Sequence, residues 1–259
     1  MDSLTFHRLL TLNHQFYQKF GAAFAATRRR IQPGVRRVLS GLPVGGRILD
    51  LGCGSGALAL ELDRTWITGS YLGLDFSAEL LAEARSAMHR ATPGGVDIRF
   101  ARADLTDPDW VNLTAGLSID VVLAFAVLHH IPDKKARARI LHQVNGLLPE
   151  GGLFIHSEWQ FQHSPKLLAR RVPWETIDLA EKELDPGDTL LDWRYALPGQ
   201  PESLGLRYVH LFTREELTDL AAQTGFSIES EFESDGEGGR LGLYQAWRKV
   251  SPGQTASAE

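Results

Sequence analysis

The sequence predicts an α/β fold: a doubly wound, mostly parallel seven-stranded sheet with an antiparallel last strand, N-terminal helices before it and a cap insertion within it. Two observations predict this. Ile48-Leu49-Asp50-Leu51-Gly52-Cys53-Gly54-Ser55-Gly56 is an apolar strand running straight into three glycines at alternate positions, and Leu72-Gly73-Leu74-Asp75 follows about twenty residues later. Beyond them, short apolar runs alternate with helical patterns, as a βα series with a parallel sheet requires.

In chain order, Leu4 to Ala26 carries apolar residues at helical spacing, and Pro33 to Leu42 predicts a short second helix stopped by Pro43-Val44-Gly45-Gly46. Arg47 to Gly52 is the first strand, followed by a helix over Gly56 to Asp63. Ser70 to Asp75 is the second strand, and Ser77 is the N-cap of a helix reaching His89. Asp97 to Ala101 and Ile119 to Ala124 are the next strands, the latter continuously apolar as a centrally buried parallel strand should be. Lys134 to Leu148 is an amphipathic helix, and Leu153 to Ser157 is the fifth strand. From Glu158 to Arg207 the periodicity fails over a stretch rich in Pro, Trp and charge, which predicts a cap over a substrate pocket. A helix over Thr213 to Thr224 follows. Ser227 to Ser234 and Gly242 to Lys249, joined by Asp235-Gly236-Glu237-Gly238-Gly239, predict an antiparallel hairpin at the sheet edge. The expected organisation is one domain over 1–250: a helical leader (1–45), a ligand-binding core (46–158), the insertion (159–206), and a C-terminal helix and hairpin (207–250). The polar small-residue tail 251–259 is expected to be disordered.

The bulk composition narrows the class. At 43% hydrophobic and 23% charged, with no apolar run long enough to span a bilayer and no signal-peptide pattern at the N-terminus, the chain reads as cytoplasmic. A single cysteine, Cys53, excludes an internal disulfide and a cysteine-based zinc site, and its place in the glycine turn suggests close packing over thiol chemistry; no metal site is expected. A net charge of −5 gives no global attraction to polyanions. Three local basic groups stand out, Arg28-Arg29-Arg30 with Arg36-Arg37, Lys134-Lys135 with Arg137 and Arg139, and Lys166 with Arg170-Arg171. Singly, each reads as a solvated helix face.

The glycine turn and its acid describe a nucleotide site. Glycines 52, 54 and 56 let the backbone adopt unusual torsions and lie against a ligand, and Asp75 at the end of the second strand can accept two ribose hydroxyls. A dinucleotide enzyme would place a pyrophosphate on such a turn. Asp50, two residues before the glycines, disfavours a diphosphate and favours a ligand bearing an ammonium or sulfonium group. S-adenosylmethionine carries both. With Asp104-Leu105 placed for the adenine amino group and Gly146-Leu147-Leu148-Pro149-Glu150-Gly151-Gly152 before strand five, residues 45–158 resemble the class I, Rossmann-like methyltransferases.

A narrower resemblance lies outside that core. Tyr17, six intervening residues, Phe24, two more, then Thr27-Arg28 and Pro33 look like the leader of the tRNA methyltransferases that esterify 5-carboxymethyluridine at the wobble position. Ala126-Val127-Leu128-His129-His130, Val172-Pro173-Trp174 and Arg207-Tyr208-Val209-His210-Leu211-Phe212 are similar too. Two departures stand against it: Gln32 where that family has tryptophan, and His156-Ser157-Glu158-Trp159-Gln160 in place of its Trp-Ala-x-Glu-Gln.

The resemblance implies Tyr17, Arg28, Asp50, Gly52, Cys53, Gly54, Gly56, Asp75, Phe76, Ser77, Asp104, Leu105, Phe125 and Ala126 as cofactor-binding residues. It implies Arg28 and His130 as catalytic, and Arg28, His130, Trp174, Arg207, Tyr208 and His210 as substrate-binding. It also implies tRNA and a small zinc-binding activator protein as partners. Blander readings stay open from the residues themselves: Arg28 as part of an exposed basic run, His130 as a satisfied helix-end histidine, Tyr208 and His210 as core, and Trp159, Trp174 and Trp193 as anchors of the cap and not stacking platforms. In-line methyl transfer to a carboxylate needs positioning and no general base, because that acceptor is already ionised near neutrality. A hydroxyl or amine on a small metabolite would want a base, which His130 could supply. A third possibility is a catalytically silent cofactor-binding scaffold.

Overall fold

The computed structural model describes residues 1–27, 30–66, 68–91, 94–195 and 203–251. The tail beyond Ser251, and with it the expected disorder of that segment, lies outside the described residues. Helices α1 (Ser3–Thr27) and α2 (Pro33–Gly41) come first. The core then runs β1 (Arg47–Leu51), α3 (Ala57–Thr65), β2 (Ser70–Asp75), α4 (Ala78–Arg90), β3 (Asp97–Arg102), β4 (Val121–Phe125), α5 (Lys134–Leu147) and β5 (Leu153–Trp159). The short α6 (Pro165–Leu168), β6 (Arg171–Val172), β7 (Asp188–Tyr195) and β8 (Ser203–His210) precede α7 (Arg214–Gln223), β9 (Phe226–Ser234) and β10 (Gly242–Lys249).

The main sheet has seven strands in the order β3-β2-β1-β4-β5-β10-β9. β1 to β5 pair in parallel, and β10 runs antiparallel to both β5 and β9. This is the doubly wound architecture expected, with the chain reversing direction across β1 and β4. In such a sheet, the crevice at the carboxyl ends of the strands where the order reverses is the place for a ligand. β4 lies at the centre, with Val122, Leu123 and Ala124 wholly buried. Each such aliphatic side chain larger than alanine contributes roughly 1.5–3 kcal/mol by leaving water. One core layer joins α5 and α7 to the sheet through Ile140, Leu141, Val144 and Leu217, and the other joins α2 and α3 through Val38, Leu58 and Leu62.

Local signals set several boundaries. β2 spans Ser70 to Asp75 as the pattern predicted, and the Ser77 hydroxyl accepts a hydrogen bond from the Leu80 amide at 3.2 Å, stopping the chain from extending and starting α4. The Ile119 to Ala124 run is displaced by two residues at its start, because Asp120 is drawn out of the strand to the Arg47 guanidinium and amide.

The insertion after β5 differs from the irregular cap expected. β6, β7 and β8 form a separate three-stranded antiparallel sheet, and β8 packs along α1. Its polar interior explains why hydrophobic periodicity failed there: Thr189, Asp192, Arg207 and His210 are all buried. Among the described residues no helix is long and apolar enough to cross a membrane.

Candidate active site

A cavity of about 520 Å³ opens at the carboxyl ends of β1, β2 and β4. Its floor is the glycine turn. Gly52, Gly54 and Gly56 have φ of 71°, 55° and 77°, in the left-handed region that side chains avoid. At Gly52 an added Cβ would also come within 2.6 Å of a Val127 methyl, whereas at Gly54 it would meet no atom of the described residues within 4 Å. The turn is therefore packed tightly against the protein behind it and left open above Gly54, in the manner of a cradle.

Asp75 ties this turn to α4. Its buried carboxylate accepts hydrogen bonds from the Gly54 amide and from the Ser77 amide, both at 2.9 Å. Burial raises its pKa, and those backbone donors lower it less. Each oxygen keeps a lone pair for a ligand hydroxyl in the cavity. Ser77 and Gly56 are themselves outside the lining: Ser77 caps α4, and Gly56 caps α3 where a Cβ would strike Ala84.

Asp50 is also buried and takes the Tyr71 hydroxyl as a donor. Burial pushes it up to about 7, the Tyr71 bond holds it back, and the charge of Asp75 adds to the rise. A cation arriving beside it would restore the ionised form. Binding of S-adenosylhomocysteine, which bears the ammonium without the sulfonium, is accordingly expected to tighten about three- to tenfold as pH rises through about 7. Asp50→Asn should flatten that dependence. Calorimetry across this range checks both, and a wild-type affinity independent of pH would remove Asp50 from the ammonium site. The Cys53 thiol nearby is pushed well up by burial and by the carboxylates of Asp50 and Asp75, so it is a neutral packing group.

Phe76, Asp104 and Leu105 line one side wall. His14 of α1 lies stacked on Phe76, with ring centroids 4.6 Å apart, and its Nε2 is 3.3 Å from Asp104 Oδ2. Phe125 and Ala126 line the opposite side, where Ala126 holds a left-handed φ of 59° and its amide donates to the Ser157 carbonyl and hydroxyl. Such an outlier persists only where its surroundings fix it.

His130 lines the cavity from the short turn after β4. Tyr17 Oη lies 2.9 Å from its Nε2, and its Nδ1 is 3.3 Å from the Tyr208 carbonyl oxygen. His129 points the other way and is wholly buried. Its amide and its Nδ1 both reach Glu158 Oε2, at 3.1 and 2.8 Å, while His156 Nδ1 holds Glu158 Oε1 at 2.9 Å. Burial acts to raise the Glu158 pKa, and the bonds to His129 and His156 together outweigh it, leaving the carboxylate below its ordinary range.

Arg28, the leading catalytic expectation, lies outside the described residues. Trp174, Arg207, Tyr208 and His210 are not brought to the cavity. Trp174 packs with Leu9 and Tyr208. Tyr208 and His210 do share one face of β8, but that face meets Asp188, at 2.7 Å from each, and His210 continues to Glu216. Between those two carboxylates the His210 pKa rises, although burial opposes it. The Arg207 guanidinium lies over the Trp159 ring, 4.5 Å from its centroid, and His129 stacks on that ring as well. Trp193 meets Phe16 and Phe20 edge-on. Trp174 and Trp193 thus pack into the structure, whereas Trp159 packs and also reaches the cavity wall.

The roof of the cavity comes from α1 and the start of α2. Of the described residues in 159–206 only Trp159 lines it, while Leu10, Asn13, His14 and Tyr17 come from α1 and Arg30 to Gln32 and Val35 from the α2 junction. Asp235, Leu241, Gly242 and Tyr244 of the last hairpin complete the lining. Sequence reasoning found only Tyr17 among these, although Leu10, Asn13, His14 and Tyr17 recur at the spacing of a single helix face. The basic groups also resolve. Arg36 pairs with Glu61, Arg37 lies over Phe232, and Arg137 is buried against Phe212 and bonded to the Ile131 carbonyl and Glu216.

Residues 23–231 match the methyltransferase domain family. A tRNA (carboxymethyluridine(34)-5-O)-methyltransferase of Schizosaccharomyces pombe is 26% identical over 83% of this chain and 88% of its own length. A trans-aconitate 2-methyltransferase of Escherichia coli is 31% identical over 49% of this chain and 45% of its own. Among solved structures, a SAM-dependent methyltransferase of Methanosarcina mazei superposes with a TM-score of 0.59 at 24% identity, covering 86% of this chain and 99% of that one, a likeness of fold. With its open glycine cradle, an acid free to take ribose and a second acid suited to an ammonium, the chain belongs to the methyltransferase domain family and is a class I, S-adenosylmethionine-dependent methyltransferase.

Proposed function

We propose that this methyltransferase esterifies a carboxylate, with the carboxymethyl group of a tRNA wobble uridine as the first candidate acceptor. The observation that carries the reading is the similarity over 83% of the chain to the Schizosaccharomyces pombe enzyme. The two relatives are both named for acceptors that bear carboxylates.

Bound S-adenosylmethionine supplies an electrophilic methyl group on a sulfonium. The glycine turn and Asp75 hold the nucleoside side of the cavity, and Asp50 holds its ammonium side. That methyl would pass to a carboxylate oxygen, its new C–O bond replacing the S–CH3 bond, and the thioether left would be neutral, so no side chain of the pocket need act as an acid. The Tyr17 hydroxyl can turn to donate to the acceptor, and His130, once protonated at Nε2, would add a second donor. Arg28 is carried in this reading as a further fork for the carboxylate, by resemblance alone. The protein would act in the cytoplasm, with tRNA as substrate and a small zinc-binding protein as activator. Lys134, Lys135 and Lys166 are exposed and available for phosphate contacts.

The alternative acceptor is a hydroxyl or amine on a small molecule. One observation favours it: the Tyr208 carbonyl beside Nδ1 leaves His130 Nε2 as an acceptor, suited to a base. Labelled methyl transfer to tRNA carrying 5-carboxymethyluridine, with unmodified tRNA and trans-aconitate as controls, tests the proposal. A methyl ester on the modified nucleoside is expected. Cofactor binding without transfer to any carboxylate, with or without the activator, would defeat it. The pH profile separates the two chemistries: a protonated His130 binding a carboxylate gives a rate that falls as the imidazole loses its proton, and a basic His130 gives a rate that rises.

A further inference from the structure

We propose that Asn13 is a positioning residue of the methyl-transfer pocket: with the Tyr208 carbonyl it holds His130 as the Nδ1–H tautomer, so that the Nε2 lone pair faces Tyr17 inside the cavity. The role in methyl transfer rests on the reading of this pocket given above, while the tautomer is testable without it.

Asn13 is 4% exposed and sits on the α1 face that roofs the cavity. Its Nδ2 donates to the His130 carbonyl at 3.0 Å and to the Tyr208 carbonyl at 3.1 Å, and its Oδ1 accepts the Tyr208 amide at 2.8 Å. β8 is an edge of its sheet, with β7 on one side. The Asn13 amide therefore takes the place of a neighbouring strand at Tyr208, accepting its amide and sharing its carbonyl with His130. No other side-chain type of this size offers a donor and an acceptor in one plane.

The chemistry follows from what faces the imidazole. A carbonyl oxygen only accepts, so the ring nitrogen turned toward Tyr208 must carry hydrogen. In the neutral ring Nε2 is then bare, and the Tyr17 hydroxyl donates to it. Because Asn13 fixes both the carbonyl that orients the ring and the carbonyl of His130 itself, removing the amide frees the ring to rotate and to exchange tautomers. Glu158 grips the same turn from the far side through His129, so loss of Asn13 should release the His130 ring without releasing the turn.

The test uses protein labelled with 15N at histidine, in long-range 1H–15N correlation spectra at a pH about 1.5 units above the ordinary imidazole range. His130→Gln identifies the resonance. In the wild type the hydrogen is expected on Nδ1 with Nε2 bare, and in Asn13→Ala the two tautomers should mix. A wild-type hydrogen on Nε2, or an unchanged Nδ1–H spectrum in Asn13→Ala, would overturn the proposal. No acceptor is needed, so this outcome stands apart from the fate of the carboxylate reading. Once an acceptor is in hand, Asn13→Ala should lower kcat about tenfold or more while S-adenosylhomocysteine affinity stays within about threefold. An equal loss of both would mean that α1 has left the cavity, and would refute a role confined to His130. Should Asn13→Ala not fold, the wild-type spectrum alone decides the tautomer, and Asn13→Asp, isosteric but without the donors, replaces it in the turnover measurement.

Discussion

Asp75→Ala should weaken S-adenosylhomocysteine binding by about 100-fold or more. Two charge-assisted hydrogen bonds to the ribose would be lost, each worth roughly 1.5–3 kcal/mol. The same carboxylate fixes the amides of Gly54 and Ser77, so the cradle itself would loosen. Leaving those two donors without an acceptor costs about 1–3 kcal/mol each where water cannot replace it, and a lower midpoint of unfolding should accompany the loss of affinity. Calorimetry reads the first effect and denaturant titration the second. Asp75→Asn separates them, since its one remaining oxygen can still take a backbone amide. A dissociation constant for Asp75→Ala within about threefold of the wild type would mean that the ribose lies elsewhere.

Glu158→Ala should be among the most destabilising substitutions in the chain, at about 3–5 kcal/mol. The side chain is wholly buried and is the shared acceptor of two buried imidazoles and the His129 amide. Deleting it strands all three donors. Glu158→Gln keeps one acceptor oxygen and should lose less. Because the folded pKa lies below that of an unfolded glutamate, this stabilisation is present above about 4.3 and is lost as pH falls through the folded value. Acid unfolding of the wild type should therefore begin at higher pH than that of Glu158→Gln, which has no such group to titrate. Equilibrium unfolding checks the magnitude, and a loss under about 1 kcal/mol for Glu158→Ala would show that water replaces the carboxylate.

What was legible in the sequence follows the range of the interactions involved. β2, the Ser77 cap and the glycine turn are set by neighbours in the chain, and their residues announced them. The doubly wound, mostly parallel character of the main sheet followed from the βα alternation, and the closing hairpin from its glycine-rich turn. The β6-β7-β8 sheet was not legible, because β7 and β8 bury Thr189, Asp192, Arg207 and His210 among apolar residues and so erase the alternation that marks a strand. Nor was the roof of the cavity. Leu10, Asn13, His14 and Tyr17 form one helix face, but that it covers the pocket depends on α1 docking against β8, some 190 residues away in sequence. Tyr208 and His210 fell on one face as their spacing implied, yet spacing could not tell which neighbour that face would meet.

The position of α1 links the two halves of the cavity. One turn of it touches Phe76 and Asp104 on the side proposed for the nucleoside, and the next touches His130 on the side proposed for the acceptor. Any ligand whose binding energy depends on how firmly that helix is seated then influences the other ligand by the same free energy, since such coupling is reciprocal. If the cofactor makes the acceptor bind tenfold tighter, the acceptor must do the same for the cofactor, and the free product, having lost its partner, is released from a looser site.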